Sequence, residues 1–221
     1  MPPLEALLSG VPYLQRLPAE ELEHLRRRAI AQTFPRGRII FLERDPCAGL
    51  YLIDSGRVKL FKTSADGREQ ILRLVGPGGS FNDVAAFDGG DNPTAAAAMD
   101  RVALYLLPSA EVQAVVLRHP DTATALIQEF ARRLREMADL VEDLSFRHVT
   151  SRVAKLLLQY ADQRDGPNPR TRLTQQELAA MVGSVREVVG RSLAALEREG
   201  AIRIDRARIV ITNRDVLRRL A

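Results

Sequence analysis

Residues 173–202 read LTQQELAAMVGSVREVVGRSLAALEREGAI, and this stretch decides the fold of the C-terminal part of the chain. Thr174 is placed to cap a helix, and Glu177, three residues later, completes the sequence pattern of a capping box. Gly183 supplies a turn in which a positive φ is easily adopted. A second helix is predicted over about residues 185–199. The pattern is that of a helix-turn-helix.

The second predicted helix has two different faces. Val189, Leu193 and Leu196 recur at spacings of four and three, which predicts a buried stripe. The opposite face carries Arg186, Glu187, Gly190, Arg191 and Ala194. Arginine can bond O6 and N7 of guanine through two hydrogen bonds, and glutamate can accept one from N4 of cytosine. In a lone helix these would be ordinary solvated charges, but the capping box and the glycine turn favour contacts with DNA bases.

The segment that follows, AIRIDRARIVIT (201–212), alternates isoleucine with polar residues on both sides of DRAR. This alternation predicts a β-hairpin wing. Its arginines 203, 206 and 208 are placed to contact phosphates, and Asn213 is placed to cap a last short helix. The residues that we expect to contact DNA are therefore Thr174, Ser184, Arg186, Glu187, Gly190, Arg191, Arg203 and Arg208, with Arg206 beside them.

The first half of the chain has a different texture. Residues 3–29 predict short helices, and residues 30–107 hold short β-rich runs such as RIIFL, LYLI, RVKLFKT, QILRLV and VALYLL, separated by turn signals. This spacing predicts an antiparallel β-sandwich or roll. We divide the chain into residues 1–108, a roll with N-terminal helices; residues 109–148, a long helix and hinge; and residues 149–221, a winged helix-turn-helix.

The run GSVREVVGRSLAALEREGAI (183–202) resembles the DNA-binding domain of the Crp–Fnr family of transcription regulators, and the phrase GLYLIDSGRVKLFK resembles the family's cyclic-nucleotide-binding roll. The resemblance covers the whole chain. It implies an α+β fold with an N-terminal β-roll, a long dimerisation helix and a C-terminal winged helix. The family's R-E-x-x-x-R pattern, which reads TGTGA-like half-sites, falls on Arg186, Glu187 and Arg191. The resemblance also implies recruitment of RNA polymerase, most commonly for activation.

The long helix carries a heptad seam, in which apolar residues step alternately by three and four. This spacing predicts a parallel coiled-coil contact in a homodimer, and a twofold dimer places two recognition helices about one DNA turn apart, over a palindromic site. The alternative is a single amphipathic helix packed on its own roll. The seam consists of Ile127, Phe130, Leu134, Met137, Val141 and Leu144.

The effector pocket departs from the family pattern in the segment GGSFNDVAAFDGGDNPTAAAA (78–98). Pro93 stands where the resemblance places the arginine that neutralises the cyclic phosphate, and the ribose-binding glutamate position falls at Asp83 or Val84. Because the loss of a bidentate arginine removes the main partner of the phosphate, we expect the protein not to depend on cyclic AMP. The candidate pocket residues are Phe81, Asp83, Val84, Thr94, Ala95 and, from the position that contacts adenine, Met137.

Three alternatives for control stay open. The protein is competent for DNA without an effector, or it binds another small molecule in an altered pocket over residues 81–95, or it senses redox state or a gas. The third alternative depends on Cys47 in a predicted loop, open to oxidation if exposed, or on a haem for which His24, His119 and His148 are poor candidates. We therefore expect no cofactor and no metal.

Composition excludes several classes of protein. The net charge is +4, but residues 150–221 carry 14 basic and 8 acidic side chains, which leaves the first 149 residues slightly acidic. A basic C-terminal part suits double-stranded DNA as partner. One cysteine excludes a disulfide framework, and no run of 18 apolar residues exists, so we expect a soluble cytoplasmic protein with no membrane partner. We find no group of residues in a pattern typical of catalysis, so we do not expect an enzyme. A regulatory roll of an enzyme or channel is not expected either, because such modules lack a helix-turn-helix.

Overall fold

The computed structural model of this chain describes residues 4–162, 170–171, 173–205 and 208–221. It is an α+β protein, as the sequence predicts. The chain divides into two compact units, which are described separately below. The first comprises Met1–Lys62 and Leu72–Arg135, and the second comprises Thr63–Ile71 and Glu136–Ala221.

Two four-stranded antiparallel sheets form the N-terminal roll. One sheet has the order β1-β8-β3-β6 and the other β2-β7-β4-β5. The strands are β1 (Ile30–Phe34), β2 (Ile39–Phe41), β3 (Gly49–Ser55), β4 (Val58–Thr63), β5 (Glu69–Val75), β6 (Ser80–Phe81), β7 (Ala95–Ala98) and β8 (Val102–Pro108).

The roll has two apolar clusters. The first fills the interior between the sheets, where Tyr51 and Phe81 stack with ring centroids 4.9 Å apart. The second includes Tyr13, Leu25 and Leu107, and it joins the outside of β3 and β8 to the helices that flank the roll. Those helices are α1 (Leu4–Gly10), α2 (Ala19–Arg28), the short α3 (Asp83–Asp88) and α4 (Ser109–Arg118).

The long helix α5 runs from Pro120 to Phe146, and α4 ends just before it at Arg118. Between them His119 has an extended backbone, with φ −123° and ψ 91°. A residue that precedes proline is driven out of the helical region by the proline ring, which explains the break at this point. The helix is amphipathic, and its first turns bury Thr122, Ala125 and Leu126.

The C-terminal elements are α6 (Val149–Asp162), β9 (Arg170–Thr171), α7 (Gln175–Val182), α8 (Arg186–Arg198), β10 (Ile202–Asp205), β11 (Arg208–Ile211) and α9 (Arg214–Leu220). The predicted helix-turn-helix is α7 and α8. The capping box of Thr174 and Glu177 is present, and Gly183 has a φ of +64° at the turn. Asn213 caps α9 by accepting hydrogen bonds from two backbone N–H groups.

The wing also forms as the sequence predicts. Strands β10 and β11 pair antiparallel, with Ile202 opposite Ile211 and Ile204 opposite Ile209. The tip of the wing, which includes Arg206, lies outside the described residues, and so does most of the predicted loop 164–172.

Candidate functional site

Helix α8 presents the predicted base-reading residues on an exposed face. The side chains of Arg186, Glu187 and Arg191 are exposed, and Gly190 is half-buried between them. The opposite face buries Val189, Leu193 and Leu196 completely or nearly so. The buried and exposed faces that the sequence periodicity predicts for α8 are therefore the ones that the structure shows.

One polar residue lies on the buried side of α8. Ser192 is 4% exposed, and its Oγ accepts a hydrogen bond of 3.0 Å from Oγ1 of Thr150 at the start of α6. A buried hydroxyl is costly to leave unpaired. This bond therefore favours one rotation of α8 about its axis, the rotation that turns Arg186 and Arg191 outward.

The N-terminus of α7 is fixed by its own capping box. Glu177 N–H donates to Thr174 Oγ1 over 3.1 Å, and Thr174 N–H donates to Glu177 Oε2 over 2.6 Å. Thr174 is exposed beside this cap, and Ser184, in the turn, is half-buried. A Cβ added to Gly190 would meet only Oε1 of Gln175 on α7, at 3.7 Å, so this glycine leaves room for a methyl group.

The wing is tied to α8 by a hydrogen bond. The backbone N–H of Ile204 donates to Oε1 of Glu197 over 2.8 Å. Arg203 and Arg208, on the two paired strands of the wing, are both exposed. The C-terminal unit thus presents exposed arginines on α8 and on the wing, the residue type that contacts guanine edges and phosphates in DNA.

In the roll, Asp83 is the centre of a buried polar network. The residue is 2% exposed, and its carboxylate accepts hydrogen bonds from the hydroxyls of Tyr13 and Ser80. Arg133 on α5 donates from Nη1 to Oδ2 of Asp83 over 2.5 Å. Burial and the negative charge of Asp83 both raise the pKa of Tyr13 well above its ordinary value. Tyr13 therefore stays a neutral donor.

Glu129 shares the same guanidinium. Arg133 Nε donates to Glu129 Oε1 over 2.7 Å, and Arg132 donates to both carboxylate oxygens at 2.9 and 2.7 Å. Hydrogen bonds from Arg132 and then from Arg133 lower the pKa of Glu129 from 4.5 to about 2. Neither Arg133 nor Glu129 was expected from the sequence at this site.

Asn82 and Asn92 form the second part of the roll network. Asn82 has a φ of +67°, and its Nδ2 donates to Asn92 Oδ1 over 2.9 Å and to the carbonyl of Gly49 over 3.1 Å. Asn92 is 2% exposed, whereas Pro93 is exposed. The inward-facing residue at the end of the cassette is thus Asn92 rather than Pro93, and it carries an amide instead of a guanidinium.

The other predicted pocket residues are not brought together. Phe81 is fully buried in the interior cluster, and Ala95 is buried on β7. Thr94 is half-buried, and Met137 is exposed on α5. Val84 is also exposed, so of the two positions considered for the ribose-binding carboxylate only Asp83 faces inward.

The seam of α5 is largely exposed in the single chain. Five of its six members are between 38% and 71% exposed: Ile127, Leu134, Met137, Val141 and Leu144. Phe130 differs, because it packs against the roll cluster with its ring edge towards Phe87 at 6.3 Å. The sequence left two alternatives for the seam, a contact between two copies or packing on the roll of the same chain. Phe130 follows the second alternative.

Sequence reasoning missed Tyr13, Ser80, Asn82, Asn92, Glu129 and Arg133. Only Asn82 carried a local signal, since asparagine is among the few residues other than glycine that adopt a positive φ readily. Cys47 is half-buried rather than exposed, and its Sγ lies 3.2 Å from Nδ2 of Asn82 and 3.5 Å from Oγ of Ser109. Within the described ranges, no helix has the length and apolarity needed to cross a membrane.

Two family models match the chain. A cyclic nucleotide-binding domain matches residues 31–119, and a Crp-like helix-turn-helix domain matches residues 151–220. The two matched ranges correspond to the roll with α4 and to the elements from α6 to α9.

Several known proteins are similar over nearly their whole length. A protein named CRP-like cAMP-activated global transcriptional regulator, from Mycobacterium tuberculosis, is 31% identical over 99% of this chain and 100% of its own. A cyclic AMP receptor protein from Thermus thermophilus is 35% identical over 97% of this chain and 98% of its own. The solved structure of FixK2 from Bradyrhizobium japonicum has the same fold, with a TM-score of 0.78, 24% identity, and coverage of 87% of this chain and 96% of that one.

Proposed function

The chain belongs to the Crp–Fnr family of transcription regulators, which bind DNA and are not enzymes, and from this premise we propose that it acts as a homodimer that reads a palindromic DNA site without cyclic AMP. The observation that carries the proposal is the exposed face of α8, where Arg186, Glu187 and Arg191 stand beside Gly190. Each half-site is TGTGA-like, and Arg203 and Arg208 of the wing contact phosphates on either side of it. Thr174 and Ser184 lie at the N-terminal ends of α7 and α8, where backbone N–H groups also favour phosphate.

The exposed stripe of α5 supports the homodimer. A row of large apolar side chains on one helix costs free energy in water and marks an interaction surface. Its heptad spacing fits a second copy of the same helix. A single helix-turn-helix makes too few base contacts for tight and specific binding, and dimerisation doubles their number.

Two features of the roll support independence from cyclic AMP. The carboxylate of Asp83 already bonds Tyr13, Ser80 and Arg133, so a ribose hydroxyl would have to compete with three donors for this carboxylate. Pro93 stands at the place of the phosphate-binding arginine, and its buried neighbour Asn92 bonds Asn82. An amide donates at most two hydrogen bonds and carries no charge to neutralise a phosphate.

We further propose that the protein works in the cytoplasm, where the chromosome lies, and that it acts as an activator. Activation is the commoner role in the family, and it requires contact with RNA polymerase through exposed loops of the roll or of the winged helix. Repression through the same DNA contacts is the alternative, and an assay of transcription from a promoter that carries the site separates the two.

Fluorescence anisotropy tests the DNA-binding proposal. The labelled duplex carries TGTGA and its inverted repeat about one helical turn apart, the control duplex is scrambled, and about 0.15 M salt suppresses non-specific phosphate binding. We expect selective binding to the palindrome that does not change when cyclic AMP is added. Binding that appears only with cyclic AMP would overturn the independence, and equal binding to both duplexes would overturn the half-site.

A further inference from the structure

The connection between α5 and α6 is only two residues long. Helix α5 ends at Phe146, and α6 begins at Val149. The second half of α5, from Glu136 onwards, belongs to the same compact unit as α6 and the other elements of the winged helix. Each connecting residue has two soft backbone dihedrals, so the connection by itself does not fix the angle between the two helices. Contacts between side chains decide this angle.

Asp143, in the last turn of α5, is bonded on both of its carboxylate oxygens. Its Oδ2 accepts a hydrogen bond of 2.5 Å from Nζ of Lys155 on α6, and its Oδ1 lies 2.8 Å from Nε of Arg147 in the connection. The side chain of Asp143 is 15% exposed and that of Lys155 is 31% exposed. Solvent screens a partly buried ion pair less than an exposed one. The pair of Asp143 and Lys155 therefore favours one angle between α5 and α6.

The position of α6 is passed on to the recognition helix α8. Oγ1 of Thr150, in the first turn of α6, donates to Oγ of the buried Ser192 on α8 over 3.0 Å. Helix α5 also contacts the helix-turn-helix directly, through Leu144. A Cβ added to Gly183, in the turn between α7 and α8, would lie 2.7 Å from Cδ2 of Leu144, so this leucine packs against the turn. The end of α5 thus holds the recognition helix at two places, through α6 and through the turn.

The same end of α5 carries the last part of the exposed seam. Val141 and Leu144 are seam residues and are 58% and 38% exposed. In the homodimer proposed above, the seam decides where the two α5 helices end relative to each other. A rigid connection from these ends to α8 then decides the distance and the angle between the two recognition helices. One base pair between the half-sites changes their separation by about 3.4 Å and their relative angle by about 35°, so a rigid dimer accepts few spacings.

We propose that Asp143 and Lys155 are positioning residues that set the half-site spacing which the dimer accepts. They act through the angle between α5 and α6 rather than through contact with bases. The inference rests on the proposed homodimer, and it concerns a property that the base-reading residues of α8 do not determine. Those residues select the sequence of each half-site, whereas the ion pair selects the separation of the two.

Anisotropy with a series of palindromic duplexes tests the proposal. The duplexes share the two TGTGA-like half-sites and differ by one base pair inserted or removed between them. We expect the parent to bind its best spacing about tenfold more tightly than the neighbouring ones. Asp143→Asn and Lys155→Gln should each lower this preference to about threefold, because each variant loses the ion pair. Lys155→Arg keeps the pair and should keep the preference.

Two comparisons separate positioning from non-specific electrostatics. Asp143→Asn removes a negative charge and Lys155→Gln removes a positive one, so their effects on the attraction to DNA are opposite. A loss of spacing preference in both variants therefore cannot come from net charge. Glu142→Gln removes a negative charge from the neighbouring, exposed residue of α5 and is the matched control, which should keep the preference. An unchanged preference in Asp143→Asn or in Lys155→Gln, or an equal loss in Glu142→Gln, would overturn the proposal.

A measurement without DNA separates this proposal from the half-site assignment. Spin labels at Arg198→Cys, on the exposed last turn of α8, report the distance between the two copies in a Cys47→Ser background. Double electron–electron resonance should give a broader distribution of distances in Asp143→Asn than in the parent or in Glu142→Gln. A broader distribution in a protein that does not select TGTGA supports the positioning role and removes only the half-site. Equal widths in a dimer that selects the palindrome contradict the positioning role alone, and a monomeric parent removes the homodimer together with this proposal.

Discussion

Arg133 on α5 donates to Asp83 on α3 over 2.5 Å, although the two residues are 50 positions apart in the chain. The side chain of Asp83 is 1% exposed and that of Arg133 is 18% exposed. The pair joins the long helix to the cassette segment of the roll within one compact unit.

The first prediction follows from this pair. Asp83→Leu leaves the hydroxyl of Tyr13 without its carboxylate acceptor and Arg133 with Glu129 as its remaining anionic partner. Arg133→Met leaves the buried Asp83 carboxylate without its cation. Because breaking a buried pair leaves a buried polar group or charge without its partner, we expect Arg133→Met to lose about 3–5 kcal/mol in the free energy of unfolding and Asp83→Leu to lose about 1–3 kcal/mol. The double variant should lose clearly less than the sum of the two. Urea unfolding of the four proteins checks this, and additive losses would mean that the two residues are not coupled.

The second prediction concerns the base-reading arginines. Arg186→Ala and Arg191→Ala should each cost about 1–3 kcal/mol of binding free energy at one guanine of the half-site and relax selectivity at that position. Arg198→Ala removes the same charge from the last turn of the same helix, where the side chain is also exposed, and should leave the selectivity unchanged. Anisotropy with duplexes substituted at each position gives the comparison. A uniform loss over all duplexes with a shallower salt dependence would assign the arginine to a phosphate.

The third prediction separates stability from DNA binding at Gly190. A helical alanine is favoured over glycine by about 1 kcal/mol, and the added Cβ meets only Oε1 of Gln175 at ordinary contact distance. Gly190→Ala should therefore raise the free energy of unfolding. It should also weaken binding to the palindrome by about tenfold, or about 1.4 kcal/mol, because the methyl group keeps the helix backbone away from the bases. Unchanged affinity in a stabilised variant would show that DNA does not approach α8 closely at this residue.

How far the sequence predicts this fold depends on the range of the interactions involved. The capping box of Thr174 and Glu177 joins residues three apart, and the two faces of α8 follow from its helical repeat, so the helix-turn-helix could be predicted. Strand β7 could not be predicted, because its sequence is AAAA and alanine is depleted in strands. It is a strand because it pairs with β2 on one side and β4 on the other.

The hydrogen-bond network around Asp83 in the roll could not be predicted from the sequence either. Tyr13 and Arg133 reach Asp83 across separations of 70 and 50 residues, and nothing in the local sequence around any of the three indicates the contact. Which charged residues pair within a folded unit depends on how its strands and helices are arranged. The sequence patterns predict a roll, but they do not predict this arrangement.

The fourth prediction is a pH dependence that comes from Glu129. Its pKa in the folded protein is about 2, against an ordinary value of 4.5. Because the pKa of Glu129 is lower in the folded protein than in the unfolded chain, its ionised carboxylate stabilises the folded state. This contribution to stability is present in full above pH 4.5 and is lost as the pH falls from about 4.5 towards 2. We expect the free energy of unfolding to fall less steeply over this range in Glu129→Gln than in the parent. The control is Glu20→Gln, at an exposed residue of α2, and equal slopes in all three proteins would contradict the assignment.

The fifth prediction tests the dimer through the exposed stripe of α5. Met137 stands at a seam position of the heptad pattern, so in a parallel dimer Met137→Glu would bring two carboxylates together in an apolar interface. We expect sedimentation velocity to show a monomer for this variant at concentrations where the parent is a dimer. Gln128→Glu adds the same charge to the same helix at an exposed position next to the seam and should remain dimeric. The monomeric variant should also lose selective binding to the palindrome while still folding, because Met137 is 43% exposed in the single chain and makes little contribution to its core. An intact dimer in Met137→Glu would place the contact between copies on another surface, and the spacing of the two half-sites would then have to be derived from that surface instead.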